Sequence, residues 1–419
     1  MRGTGHPVLI VGGGIGGLTT ALALAESGRP AHVLEKAPSF GEIGAGLQLA
    51  PNAMRVLDRL GLSAELAKHA VFPSRLVWMD ALAGERITAV DLGDAFRKRY
   101  GQPYIVMHRS DLLAVLLAAC QAHALVTLEA DRTVVAVEDL DSAVRARTAD
   151  GAVYEADLLV GADGLRSTVR AQCLPDVVPL YAGYVAWRAL LPERAIPPAV
   201  HRELFEAMSF GLPPGEQFLC YPVVGPDGDL RPGHRRCNVV WYRPADAVSE
   251  LPWLLTDDSG VSHAISIPPP LIRRAAIAAM RAAAERLLAP QFREIVRLID
   301  EPILQPIYDL ESPQLAFGRV AIIGDAAFVA RPHVAAGVSK AADDAAALAE
   351  AVDHGDVEAG LLRFEASRLP VGARIIERAR HLGAYLQATQ TIEERARSAR
   401  HSIPEAVLAE TAVLDFLYA

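Results

Sequence analysis

The chain reads as an α/β protein: a parallel sheet that the backbone visits at least three times, an inserted and mostly antiparallel sheet, and a helical C-terminal region. Three observations lead there. Pro7-Val8-Leu9-Ile10-Val11 is a continuous apolar run followed at once by glycines, as a strand buried on both faces should be. Similar runs return far downstream at Leu158-Leu159-Val160 and Val320-Ala321-Ile322-Ile323. Between these two, residues from about 180 to 266 carry most of the Trp and much of the Tyr, with frequent Pro and Gly, the mark of a separate sheet.

After the first strand, Leu18 to Ser27 is rich in Ala and Leu and stops at Gly28, which predicts a helix. Ala31-His32-Val33-Leu34 is a second strand, so the chain opens βαβ, the start of a doubly wound parallel sheet. The spacing of Leu57, Leu60, Leu62 and Leu66 predicts one helix over 54–70, broken at Phe72-Pro73. Leu76 to Leu92 reads as a hairpin about Ala83-Gly84-Glu85, and Asp111 to Ala124 as a helix. Leu125 to Val137 and Ala143 to Asp157 alternate as antiparallel strands, with Asp150-Gly151 as a turn signal. In the middle third, Tyr184–Arg188, Phe218–Tyr221 and Cys237–Tyr242 are strands; Ile267 to Pro270 then punctuates before a helix from Leu271 to Leu288. The tail from Lys340 to Ala419 is mostly helical, without repeats. These elements divide into a discontinuous first domain (1–75, 100–178 and 305–385), an inserted second domain (76–99 and 179–304) and a C-terminal helical segment (386–419).

With 419 residues the chain is long enough for two packed cores. A net charge of −9 argues against a nucleic-acid surface, which needs clustered Lys and Arg. The Arg395–Arg400 stretch is interleaved with Ala and Ser and reads as a solvated helix face. Cys120, Cys173, Cys220 and Cys237 are scattered, fitting neither a metal site nor a disulfide framework, so reduced thiols in the cytoplasm are expected. The first apolar run is too short for a signal peptide or a membrane span, and no membrane association is expected.

Chemistry enters with the glycines. Gly12-x-Gly14-x-x-Gly17, with Ile15 inside it as a further candidate cofactor contact, follows the first strand and opens the first helix. The first glycine allows the turn, the second lets a diphosphate reach the backbone, and the third lets helix and strand pack closely. Glu35, followed by Lys36, ends the second strand, where an acid accepts hydrogen bonds from a ribose diol. This is the Rossmann-like signature of dinucleotide binding. FAD and NAD share it, so further signals are needed. Gly161-Ala162-Asp163-Gly164 follows the Leu158–Val160 strand, and Gly324-Asp325-Ala326-Ala327 follows the Val320–Ile323 strand. Each sets an Asp among small residues at the carboxyl end of a strand, the edge where open α/β sheets bind ligands.

With these three motifs in this order, nearly the whole chain resembles the single-component FAD-dependent aromatic-ring hydroxylases of the para-hydroxybenzoate hydroxylase type. The resemblance implies that FAD lies on the glycine unit and Glu35, that Asp163 and Gly164 serve FAD and the pyridine nucleotide, and that Asp325 holds the ribityl chain. It also implies an FAD contact for Arg109, in His108-Arg109-Ser110-Asp111, and for Gly46 and Gln48, in Gly44-Ala45-Gly46-Leu47-Gln48. Many members continue Gly-Asp-Ala-Ala with His-Pro and later carry Gly-Ala-Asn. This chain has Phe328-Val329 and Gly337-Val338-Ser339 there. Its run Arg331-Pro332-His333-x-Ala335-Ala336-Gly337-Val338-x-Lys340 looks like the 2,6-dihydroxypyridine 3-hydroxylase and salicylate-hydroxylase-like branch, which adds Pro332, Ala336, Gly337 and Val338 as cofactor contacts.

The implied reaction uses NADH or NADPH as a transient donor and O2 to hydroxylate a small hydroxylated aromatic or heteroaromatic ring through a flavin hydroperoxide. Withdrawing a proton from a ring hydroxyl raises the ring's electron density, so a base is expected beside the substrate. His333, in the loop after Asp325, is the first candidate against a merely structural histidine. Tyr184 and Tyr221 are candidates to bind or relay, against core tyrosines with hydroxyls at the rim. Arg188 and Arg243 could hold an anionic oxygen, and Arg331 and Lys340 could counter cofactor charge, against ordinary salt bridging. Trp187 and Trp241 read as core. Two alternatives stay open: an epoxidase- or halogenase-like oxygenase on a polycyclic substrate, and a non-catalytic FAD-binding regulator. No nucleic-acid partner and no metal are expected; a homodimer is allowed for.

Overall fold

The computed structural model describes residues 6–41, 44–80, 82–334, 337–353, 355–400 and 403. Within them, six strands form a largely parallel sheet in the order Ala316–Phe317, Val320–Ile322, Leu159–Gly161, Val8–Val11, Ala31–Leu34 and Val126–Glu129. The first pairs antiparallel and the rest in parallel. Registers such as Val11↔Gly161 and Gly161↔Ile322 bring the carboxyl ends of three strands level. The loops that follow are laced by main-chain bonds, with Ala162 N donating to Val11 O and Ile323 N to Gly161 O. Three motifs read separately from the sequence therefore lie along one edge.

A second sheet has eight strands in the order Phe328–Val329, Ile303–Glu311, Leu180–Pro192, Arg236–Pro244, Gln217–Val223, Met208–Leu212, Arg75–Asp80 and Arg86–Asp91. Among the described residues, only the Met208–Leu212 and Arg75–Asp80 pair in it is parallel. Period-two alternation sorts its side chains. Trp187, Phe218, Cys220, Val239 and Trp241 pack on one face against the helices Arg274–Leu287 and Pro290–Arg297. Tyr184, Leu219, Tyr221, Val240 and Tyr242 pack on the other, with Tyr104, Tyr385 and Leu386. The tryptophans are core, as expected, and the polar-tipped tyrosines gather on the opposite side. A small sheet of Gly46–Leu49, Ile105–His108 and Ala70–Val71 lies against that tyrosine face.

Several elements differ from the sequence reading. The first helix begins at Ile15, so its first turn is the glycine loop itself. The helix expected over 54–70 is two, Pro51–Arg59 and Ser63–Ala67, because Gly61 takes φ +73° between them. Val126–Glu129 is not antiparallel to its sequence neighbours. It pairs in parallel with Ala31–Leu34, while Val134–Asp139 and Val153–Ala156 flank Val144–Thr148 as antiparallel strands. Alternation reports that one face is buried but not the direction of the partner, which is why these strands read alike. The Arg75–Asp80 and Arg86–Asp91 hairpin and the helices Arg109–Ala122 and Arg274–Leu287 are as expected. The C-terminal region is helical over Gly337–Ala351, Val357–Gly383 and Ile392–Ser398; residues 404–419 lie outside the described residues. Among the described residues, no helix is long and apolar enough to cross a membrane.

Candidate functional site

The glycine loop meets the demands of a diphosphate cradle. Gly12 has φ +107°, and a Cβ there would lie 2.5 Å from Ala162 O. A Cβ on Gly17 would lie 1.9 Å from Gly12 O, so helix and loop touch as backbone. At Gly14, by contrast, a Cβ would meet nothing within 4 Å. Gly14 is the N-cap of a helix with no side-chain cap and no acid in its first turn, which leaves N–H donors and partial positive charge facing open space. The Glu35 carboxylate accepts from Gly13 N at 2.7 Å and Ala37 N at 2.9 Å, which holds it beside the loop. Ile15 is buried and Lys36 exposed. These features fit a dinucleotide, with the unfilled groove at the one glycine that sterics leave free.

Asp163 is more local than expected. Its Oδ2 accepts from Thr168 N at 2.7 Å and Val169 N at 3.2 Å, capping the short helix Thr168–Cys173, while its buried Oδ1 has no described partner. Gly164 has φ +76° and open space beside it. Arg170 ties this turn to the next motif. Its Nη1 donates to Ala326 O at 2.9 Å and its Nη2 to Leu165 O at 2.7 Å from a buried position. Replacing Arg170 by alanine is expected to cost about 2–3 kcal/mol of stability, because a buried carbonyl and a half-buried one lose their donor. A urea-denaturation midpoint measures this, and an unchanged midpoint would dismiss the stitch. Asp325 stands in the turn Gly324–Ala326 with its carboxylate exposed, and Gly324 N donates to Asp344 Oδ2 at 3.1 Å behind it.

The loop after Asp325 reaches the second sheet. The turn Pro332–Val334 leaves Pro332 exposed and His333 half-buried. His333 Nδ1 lies 3.2 Å from Gln217 Oε1, and Nε2 lies 2.9 Å from the Tyr184 hydroxyl. An amide oxygen can only accept, so Nδ1 carries a proton, and in the neutral ring Nε2 is then the acceptor for the Tyr184 O–H. The Tyr242 ring meets the imidazole edge-on at 4.8 Å. Tyr184 follows Gly183, whose φ of +82° marks a register shift in the strand Leu180–Pro192. Such a bulge re-aims the next side chain. Tyr184 is completely buried, contrary to a hydroxyl at the rim, and burial pushes its phenol well up against the opposing charge of Arg331. That charge is itself matched. Arg331 Nε donates to buried Asp309 at 2.8 Å, its Nη1 donates to Gln387 Oε1 at 2.7 Å, and Arg380 donates to the other Asp309 oxygen. Gly383 leaves room for the cluster, since a Cβ there would lie 2.8 Å from the Tyr184 hydroxyl.

Tyr221 does not join His333. It lies four residues along the strand from Gln217, roughly 13 Å away. Its neighbours are Gln48, Tyr104 and Arg188: Tyr104 donates to Gln48 Oε1 at 2.5 Å, burial pushes the Tyr221 phenol up, and Arg188 pulls it back. Arg188 donates to Gly46 O at 3.0 Å and Gln305 Oε1 at 2.9 Å, while its Nε is buried without a partner. Among the described residues no carboxylate pairs with it. Gly46 N in turn donates to Asn238 Oδ1 at 2.8 Å, which ties the strand Gly46–Leu49 to the sheet that carries the tyrosines. Tyr242 lies between the two clusters, its phenol pushed up to about 12 by burial. Arg243 is bound elsewhere, to Glu216 at 3.0 Å on the far face.

Arg109, exposed at the start of its helix, donates its N–H to Ala45 O at 3.1 Å. Gly337 and Val338 open the helix Gly337–Ala351, and Ala336 lies outside the described residues. The sequence reading missed Gln217, Asn238, Tyr242 and Asp309. Alternation from Leu219 and Tyr221 puts Gln217 on the tyrosine face, and the same rule applied to Val240 places Asn238 and Tyr242 there. Nothing local flags Asp309.

Comparison with known proteins gives matches along the chain. Residues 6–182 match a family described as FAD binding domain, and residues 181–309 one described as FAD binding domain-like. A 3-hydroxybenzoate 6-hydroxylase from Polaromonas naphthalenivorans is 31% identical over 395 residues, covering 94% of this chain and 90% of its own length. A 2,6-dihydroxypyridine 3-monooxygenase from Paenarthrobacter nicotinovorans is 30% identical, with 92% and 93% covered. The solved structure of 2,6-dihydroxypyridine-3-hydroxylase from Arthrobacter nicotinovorans superposes with a TM-score of 0.82 at 27% identity, covering 94% of this chain and 95% of that one.

Proposed function

Because this chain belongs to the FAD-binding family of aromatic-ring hydroxylases, we propose that it uses NADH or NADPH and O2 to hydroxylate a small hydroxylated aromatic or heteroaromatic ring. The observation that carries this reading is the meeting of the glycine loop and the Asp163 and Asp325 turns at one sheet edge, which Gly46 and the His333 loop join to a face of buried tyrosines. Its relatives act on hydroxybenzoate and dihydroxypyridine, rings that share a ring hydroxyl.

In this reading Gly14 and the N–H groups from Ile15 to Gly17 hold the diphosphate, Glu35 the ribose and Asp325 the ribityl chain. The exposed Lys36 and Arg109 add charge, and Asp163 Oδ1, Gly164, Pro332, Gly337 and Val338 line the cleft. Bound FAD supplies the redox chemistry and the activation of oxygen. The protein's own task is to orient the ring, exclude water and move one proton. Tyr221 and Arg188 hold a ring oxygen, where an unmatched guanidinium favours the anionic form. Tyr184 takes up the ring-hydroxyl proton as its own passes to His333 Nε2, while Gln217 holds the tautomer that can receive it. We assign 1–75, 100–178 and 305–385 to the cofactor, and 76–99 and 179–304 to the substrate. The cytoplasm, where nicotinamide donors are supplied and thiols stay reduced, is the compartment this function implies.

The test is flavin bleaching by NADH or NADPH in rapid mixing, with a panel of hydroxybenzoates, hydroxynicotinates and hydroxypyridines. At least one ring is expected to accelerate bleaching and to be recovered with one added oxygen. If no ring accelerates it, the proposal fails.

A further inference from the structure

Among the described residues, the ammonium of Lys340 is buried without a hydrogen-bond acceptor. Lys340 lies in the first turn of the helix Gly337–Ala351 and is 1% exposed. Asp344 Oδ2 is 3.8 Å from its Nζ, but that oxygen already accepts from Gly324 N, and its partner oxygen accepts from Arg368 at 2.8 Å. The Phe328 ring lies 6.0 Å from Nζ on another side. An ammonium held away from water costs several kcal/mol unless its surroundings use the charge.

The surroundings are the two ends of the cofactor cradle. The next residue, Ala341, would be 3.6 Å from a Cβ on Gly16, in the first turn of the glycine-loop helix, and 3.5 Å from one on Gly324. The turn that carries Lys340 is thus wedged between the diphosphate loop and the Gly324–Asp325 turn. It is also crowded with acid: Asp343 and Asp344 share its helix and Asp325 lies beyond. Burial pulls the lysine below its ordinary range and Arg368 adds to this, while Asp344 and Asp325 pull it back up. Burial likewise pushes the Asp343 carboxyl up to about 6, against Arg368. A dinucleotide brings two more negative charges to this place.

We propose that Lys340 is a positioning residue for the cofactor, acting through Asp344 and Asp325: its buried charge offsets the acidic turn and keeps that turn seated against the glycine-loop helix, so that the cradle accepts a dianionic diphosphate. The proposal rests on the FAD reading of the cleft. It explains why the chain retains a lysine at a position whose burial alone would favour an apolar residue.

Apoprotein of Lys340→Met and Lys340→Gln, titrated with FAD by flavin fluorescence, tests it. Both variants should bind FAD about ten-fold more weakly, the size usual for one lost charge interaction. Their apoprotein melting temperatures should stay near that of the wild type, because Asp344 keeps its bonds from Gly324 N and Arg368. FAD affinity indistinguishable from wild type would overturn the proposal. So would a loss of affinity in step with a fall in melting temperature, or failure of both variants to fold, since each makes Lys340 a structural residue only. Wild-type apoprotein that binds no FAD is a distinct result, which would remove the cofactor reading itself.

Discussion

Asp325→Ala is expected to yield a folded protein that loses its flavin on gel filtration. The Asp325 carboxylate is exposed at the end of the Val320–Ile322 strand and accepts no hydrogen bond from the described residues. The turn is held from behind, by Asp344 on Gly324 N and by Arg170 on Ala326 O. Truncating the side chain therefore removes almost nothing that the apoprotein uses. Toward the cofactor it deletes an ionised acceptor, whose hydrogen bonds are worth about 1.5–3 kcal/mol. That corresponds to roughly ten- to hundred-fold weaker binding. Flavin absorbance per protein, read with the apoprotein melting temperature, separates the two effects. Full flavin retention would show that Asp325 does not hold the cofactor.

The second large effect belongs to the Tyr184–His333 pair. His333→Ala should lower the hydroxylation rate by about two to three orders of magnitude, the range of a lost general base, while FAD occupancy stays near that of the wild type. Tyr184→Phe should do the same, because the ring nitrogens of His333 face Gln217 and Tyr184, and Tyr184 is the link to the substrate in the proposed relay. Residues acting in series are not additive, so the double variant should be no slower than the slower single one. The alanine variant leaves the buried Tyr184 hydroxyl unpaired and should melt lower; the phenylalanine variant keeps the packing, so turnover in Tyr184→Phe is the cleaner measurement. Unchanged kcat in both would remove the pair from catalysis.

How far the sequence could lead depended on chain distance. The glycine loop, its flanking strands and Glu35 lie within 30 residues, and steric demands on backbone are written locally, so this unit was legible but for the helix start, which the glycines hid. Asp163 and Asp325 were legible as strand ends, because a continuous apolar run followed by small residues says where a buried strand stops. What each Asp does there was not. The cap that Asp163 forms depends on a helix of only six residues, too short to show a period. The contact of His333 with Tyr184 spans 149 positions, and that with Gln217 spans 116. Alternation could place Tyr184 and Gln217 on a face, but pairing order across the eight strands decides what meets them. Arg331 read as a loop cation. Asp309, in a strand with no motif, makes it half of a buried pair.

The stitch between Arg170 and Ala326 bears on how the protein is made. The groove at Gly14 gains its opposite wall only when Val320–Ile322 adds to the edge of Leu159–Gly161 and the helix Gly337–Ala351 settles on the first one. Synthesis runs from the N-terminus at about 5–20 residues per second, so the loop that recognises the nucleotide waits roughly tens of seconds for the segment that closes over it. A nascent chain halted before residue 320 is expected to carry the whole fingerprint and to retain no flavin, which flavin fluorescence of the truncated protein checks. On the proposed cofactor site, flavin loading is expected only in the finished polypeptide, with bound colour as a report that the last third of the chain has docked.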